Sequence, residues 1–132
     1  MKALSVKQPW ASFISEGMKT IETRSWPTKY RGDILICASK TPDSVSMHHY
    51  LKVLNDDKFV SLSYPNGVAL CIAEIYDCWP MAEDHQAAAK CLIYPGAYSW
   101  FLKNIRRFEP FPIKGQLRIF NVDVNEKDLV FL

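Results

Sequence analysis

The stretch SVKQPWASFISEGMKTIETRSWPTKYRG, residues 5–32, decides how the rest of the chain is read. Trp10, Phe13 and Ile14 recur at helical spacing and give a short helix one apolar face. Pro9 stands where a first helical residue tolerates it, because its missing N–H has no partner there anyway. Gly17 supplies the stop. In the strand that follows, side chains alternate: Thr20, Glu22 and Arg24 share one face, Ile21 and Thr23 the other. A carboxylate thus sits beside a guanidinium, just past Lys19 at the helix exit, with Trp10 and Trp26 on either side. Two readings fit these residues. One is a salt bridge on a solvated sheet face; the other is a small recess gripping a polar, planar ligand. Lys7 and Gln8, just ahead of the helix, meet Lys19 above the sheet if helix and strand pack side by side. By its place in the helical stripe, Trp10 reads as core.

Working outward, residues 2–6 read as a strand, with Leu4 and Val6 alternating against polar neighbours. Gly32 opens GDILICAS, whose apolar run at 34–38 fits a strand buried on both faces. Thr41 as N-cap and Pro42 as first helical residue predict a helix with Val45, Met47, Leu51 and Leu54 inward, then a loop to Pro65. Pro65-Asn66-Gly67 turns the chain into its longest apolar strand, residues 68–79. Glu74, inside that run, is either a paired structural acid or a site residue. Residues 80–97 read as an insertion with a helix-prone part, MAEDHQAAAK. Tyr98, Trp100 and Leu102 then alternate with Ser99, Phe101 and Lys103 as a strand, which Pro110 and Pro112 interrupt. Residues 117–124 and 129–132 supply closing strands. The expectation is one α+β domain over residues 1–132: a compact mixed-sheet barrel, an early short helix near its mouth, and one or two peripheral helices.

A length of 132 residues suits one proper core and not two. The net charge of +2 excludes a polycation built to coat nucleic acid. The charge is uneven, however: residues 96–122 carry Lys103, Arg106, Arg107, Lys114 and Arg118 against Glu109 alone. The segment from Lys103 to Arg107 is a basic patch for a partner or a solvated edge. There is no Cys-x-x-Cys, and adjacent His48 and His49 diverge on a helix, so nothing calls for a metal or another cofactor. Cys37, Cys71 and Cys78 lie in or beside apolar runs and read as small core residues. The opening MKALSVKQPW lacks an apolar signal core, and no run is long enough to span a bilayer, which predicts a cytoplasmic protein with no membrane partner.

Three blocks in order resemble an ASCH domain (activating signal cointegrator homology), a branch of the PUA-like superfamily. The first has Gln-Pro-Trp at residues 8–10, Gly17 followed by Lys19, Glu22-Thr23-Arg24, and Tyr30-Arg31-Gly32 leading into a strand. The second is GVALCIAEIYDC, similar to the family's central Gly-led strand, and the third is YSWFLKNIRRFEPFPIKGQLRIFNV, similar to its aromatic strand, proline turn and closing Lys-Gly strand. The resemblance implies a PUA-like pseudo-barrel of five or six strands. It also implies binding of RNA or a modified nucleoside in a cleft beside the first helix. On this chain the cleft maps to Lys7, Gln8, Lys19, Glu22, Arg24, Trp26, Tyr98 and Trp100. A flat ring stacks on a base, an amide reads a base edge, and a cation meets a phosphate.

An alternative implied by the same resemblance is a small amidohydrolase or esterase acting on an acylated nucleoside such as acetylated cytidine, or a ribonuclease. The amidohydrolases use a lysine, a threonine nucleophile and an acid. Lys19 matches the lysine, but Glu22 stands where the threonine belongs, and a carboxylate does not replace an activated hydroxyl as acyl acceptor. In a different hydrolysis Glu22 would act as general base for water, with Lys19 or Arg24 stabilising an oxyanion. The remaining acid would be Glu74, Glu83 or Asp84. No histidine pair or carboxylate cluster points to ribonuclease chemistry.

Overall fold

A computed structural model describes residues 1–41 and 63–132; the helix expected after Thr41 lies outside the described residues. In chain order the elements are β1 (Lys2–Val6), α1 (Trp10–Ser15), β2 (Ile21–Arg24), β3 (Gly32–Ala38), β4 (Val68–Pro80), α2 (Gln86–Ala89), β5 (Tyr98–Pro112) and β6 (Ile119–Asn121). Single 3-10 turns at Glu83–His85 and Glu126–Asp128 complete them. The strands form one mixed sheet in the order β2-β5-β4-β3-β1-β6, in which only the β1–β3 pair is parallel among the described residues. The sheet curls into a half-barrel, giving the α+β class with little helix. Three register shifts in the long β4–β5 ladder bend it, since each extra residue on one strand kinks the pair.

The core lies on both sides of the sheet. Ile34 and Ile36 pack with Leu4, Val6, Ile14, Ile75 and Trp100, while Leu35 and Cys37 pack with Ala3, Ile72, Phe108 and Phe120. Thus β3 is buried on both faces, as its unbroken apolar run predicts. Helix α1 has only six residues and depends on docking Ala11 and Ile14 against that core. Gly17 ends it in the left-handed region, φ 77°, with its N–H donating to Ile14 O and that of Met18 to Phe13 O.

Two strand limits differ from expectation. Pro110 and Pro112 do not interrupt β5, which runs to Pro112. Beyond Phe101 the strand has lost β2 as a neighbour, and a near-edge position tolerates a missing N–H. At the C-terminus β6 is only three residues, and residues 129–132 contribute a single bridge, Phe108 to Phe131.

Cys37 and Cys71 are fully buried, and burial pushes each thiol up to about 12 from 9.0. A raised acid pKa stabilises the fold below the unfolded value and loses that contribution as pH climbs through the folded one. Stability should therefore fall between pH 9 and about 12, by up to about 1.4 kcal/mol per pH unit for each thiol. Urea unfolding at pH 8 and pH 10.5 checks this, with Cys37→Ala/Cys71→Ala expected to flatten the alkaline slope.

Candidate nucleic-acid interface

Where β1 and β3 finish, β4 starts and β5 ends, the sheet opens into a cleft of about 1440 Å³. Its far wall is β2 with Lys19, facing the 112–118 link between β5 and β6. The tight turn at Asn66-Gly67 brings Lys40 to the rim, Gly67 taking φ 69° and donating its N–H to Ala38 O. On the other side Ile113 N–H donates to Gly67 O, which anchors the link carrying Lys114 and Arg118. A close backbone approach sets that link too. A Cβ on Gly115 would stand 2.4 Å from Ser5 Oγ, so only glycine lets the link lie against β1 with the serine where it is.

The floor is a charged chain of contacts. Glu22, almost wholly buried, splits its two oxygens: Oε1 accepts the Thr23 N–H at 3.1 Å, and Oε2 accepts Arg24 Nε at 3.1 Å. Arg24 also donates to Ser5 O at 2.6 Å, tying β2 across the cleft to β1. Lys19, 1% exposed, donates to Ala89 O of α2 and lies 3.7 Å from Glu22 Oε1. Desolvation lowers the Lys19 pKa below the ordinary lysine value of 10.5, with Glu22 pulling the other way. A lowered base pKa makes the folded state gain stability as pH rises towards 10.5, so Lys19 softens the alkaline loss caused by the two thiols. Cys91 Sγ, 3.5 Å from Thr23 Oγ1, completes this wall.

Around that floor stand Lys7, Lys40, Lys114 and Arg118, all exposed, none paired with a carboxylate among the described residues. With Lys19 and Arg24 they make six cations around one acid, Glu22, among the described residues. Such an excess in a concave surface attracts polyanions. Trp10 is half-buried: it packs on the core and also lines the cleft, so both readings of it hold in part.

Of the residues expected at the site, Lys7, Lys19, Glu22, Arg24 and Trp26 line the cleft. Gln8, Tyr98 and Trp100 do not. Gln8 is fully buried, its amide spent on Ser12 Oγ, the Ser12 N–H and Pro65 O, so it holds the start of α1 to the turn before β4. Trp100 is core, its Nε1 donating to Trp26 O at 3.2 Å. Tyr98 packs on the core and lines a separate, smaller apolar hollow with Met81 and Ile93. Thr20 is exposed and outside the cleft, one residue before β2 begins.

The acids proposed to complete a catalytic set also lie elsewhere. Glu74 pairs with Lys103 at 3.8 Å, as a paired structural acid would, and neither Glu83 nor Asp84 lines the cleft. His85 bonds Ser99 Oγ and the Ala82 N–H. The basic segment of β5 is neutralised in place. Arg106 grips Asp33 through both terminal nitrogens and reaches Glu126, and Arg107 pairs with Glu16. Sequence reasoning did not place Lys40, Lys114, Arg118 or Cys91 in the cleft. The only signal for two of them was the local basic excess of residues 96–122.

Among the described residues no three His, Cys, Asp or Glu side chains are grouped to hold a metal, and no helix is long and apolar enough to cross a membrane. The ASCH domain profile matches residues 4–112. The chain is 32% identical to human Activating signal cointegrator 1 over 127 residues, and 31% to the mouse protein, in each case covering 91% of this chain. It spans only 22% of the length of those relatives. Two crystal structures of point mutants of the Zymomonas mobilis protein ZmASCH share its fold at 13% identity. One, a tyrosine-to-phenylalanine mutant, aligns with TM-score 0.52 over 84% of this chain and 74% of that one. The other, a serine-to-alanine mutant, aligns with TM-score 0.53 over 85% and 73%.

Proposed function

Since this chain belongs to the ASCH domain family, whose members are associated with RNA binding, we propose that its basic cleft binds single-stranded RNA or a modified nucleoside carried in it. One observation carries the reading: Lys7, Lys40, Lys114 and Arg118 converge on a concavity without acidic partners among the described residues. Charges without acidic partners among the described residues, set around a recess, are poised for phosphates, unlike the ion-paired β5 arginines. A cleft of about 1440 Å³ exceeds what a lone nucleoside fills and leaves room for several linked nucleotides.

Phosphate contacts make binding salt-dependent. Four contacts on a single strand give a log–log slope of about −2.8, so affinity falls roughly 50-fold between 50 and 200 mM salt. Fluorescence anisotropy with a short labelled RNA across that range tests the reading. Replacing Arg106 and Arg107 together with Ala should leave both affinity and slope as they were. The same change should cost about 1–2 kcal/mol of stability from the lost Asp33 and Glu16 pairs. No binding at 50 mM salt would remove the nucleic-acid reading.

A second reading, hydrolysis of an acylated nucleoside, draws on one observation: burial lowers the pKa of Lys19, which makes its proton easier to give up at a cleft floor. The geometry favours it less, because both oxygens of Glu22 already accept hydrogen bonds from Thr23 and Arg24. Incubation with acetylated cytidine, followed by product mass, separates the two. Turnover that Glu22→Gln abolishes supports the hydrolase.

A further inference from the structure

We propose that Trp26 and Arg118 form a slot for one unpaired nucleobase, with the indole as platform and the guanidinium as a movable cover. The slot deepens the RNA-binding reading and rests on it. Both residues line the cleft, and the Arg118 guanidinium carbon lies 5.1 Å from the Trp26 ring centroid.

The two halves are held very differently. Trp26 is fixed from the core side. Its ring meets fully buried Trp100 at 4.7 Å in an edge arrangement of 83°, and Trp100 Nε1 donates to the Trp26 carbonyl. A ring fixed in this way loses little freedom when a ligand stacks on it. Arg118, by contrast, is exposed, sits in the link before β6, and pairs with no carboxylate among the described residues. Its backbone adopts φ 59°, a region that non-glycine residues seldom occupy. What the guanidinium meets is the ring itself, through a cation–π contact that is weak at an exposed site.

That contact marks where a planar ligand belongs. Carbon atoms in contact sit about 3.5–4.0 Å apart, so a base between ring and guanidinium needs a spacing of about 7 Å. At 5.1 Å the slot is closed. A base enters by lifting Arg118, whose flat guanidinium then covers the outer face of the base or turns its donors to the attached phosphate. Stacking on neighbouring pairs within a duplex hides the faces the slot needs, so the ligand is an unpaired, unstacked nucleotide, and stacking of this kind accepts any base.

The test compares two oligomers with the same phosphates: a single-stranded hexauridylate and an abasic ribose-phosphate hexamer. Affinities are measured by anisotropy for the wild-type chain, Trp26→Leu and Arg118→Lys. The wild-type chain should favour the base-bearing oligomer by about tenfold, within the range of one stacked base. Trp26→Leu should bring that ratio close to one. Arg118→Lys, which keeps the charge and removes the flat cover, should lower it about threefold. If Trp26→Leu does not fold, Arg118→Lys alone decides. A wild-type ratio of one, or an unchanged ratio in a folded variant, overturns the slot while leaving the cleft reading standing. Failure of the wild-type chain to bind either oligomer overturns both.

Discussion

Glu22→Ala should destabilise the protein by about 3–5 kcal/mol, the scale seen when one member of a buried ion pair is removed. The carboxylate sits between Lys19, which is 1% exposed, and Arg24, which is 23% exposed. Removing it leaves an ammonium in the core with only Ala89 O to answer it among the described residues, and strips Arg24 of its carboxylate partner. Glu22→Gln, which can still accept the Thr23 N–H, should lose less. Lys19→Met combined with Glu22→Gln should recover part of the loss, because no lysine charge then remains buried. Urea unfolding of the four proteins measures this. A loss under about 1 kcal/mol for Glu22→Ala would mean that water reaches the pair and the floor is not sealed. Because Arg24 also spans to Ser5 O, the same substitution should loosen the join between the β1 and β2 walls, so RNA binding is best compared using Glu22→Gln.

Removing the four rim cations, Lys7, Lys40, Lys114 and Arg118, by alanine substitution should have the opposite profile. Exposed and without carboxylate partners among the described residues, they contribute little to folding, so each change should stay within about 0.5 kcal/mol of stability. RNA affinity at 50 mM salt should nevertheless fall on the order of 100-fold, and the salt slope should become nearly flat. Single substitutions should each reduce the slope by about 0.7. A quadruple variant that keeps the wild-type slope would place the phosphates on another surface. Stability and binding thus separate on the two levels of the cleft: buried, paired charges form the floor, and exposed ones form the rim.

Much of this protein can be read from local pattern. Residues 34–38 announce a doubly buried strand through an unbroken apolar run, because burial on both faces leaves no polar alternation. Gly17 ends α1 where the sequence predicts, since its positive φ is a local backbone demand. Glu22 and Arg24 meet on one face because a strand repeats every two residues. The three ordered blocks also carried the family, whose profile matches residues 4–112.

What local pattern could not supply was which neighbours each side chain meets. Gln8 and Trp100 are polar-tipped or flat residues of the kind that bind bases, yet the fold closes over both. Their hydrogen bonds go to Pro65 and Trp26, partners 57 and 74 residues away. Arg106 and Lys114 look alike in sequence; one is clamped by Asp33 and the other stands exposed at the rim. The sequence by itself determined the strands as far as β4, the helix stop and the pairing of Glu22 with Arg24, because these depend on residues a few positions apart. Only the tertiary structure decided which cations gather around one cleft without acidic partners among the described residues. That depends on how the curled sheet brings the ends of β1, β3 and β5 together, a matter of long-range packing that no short spacing encodes.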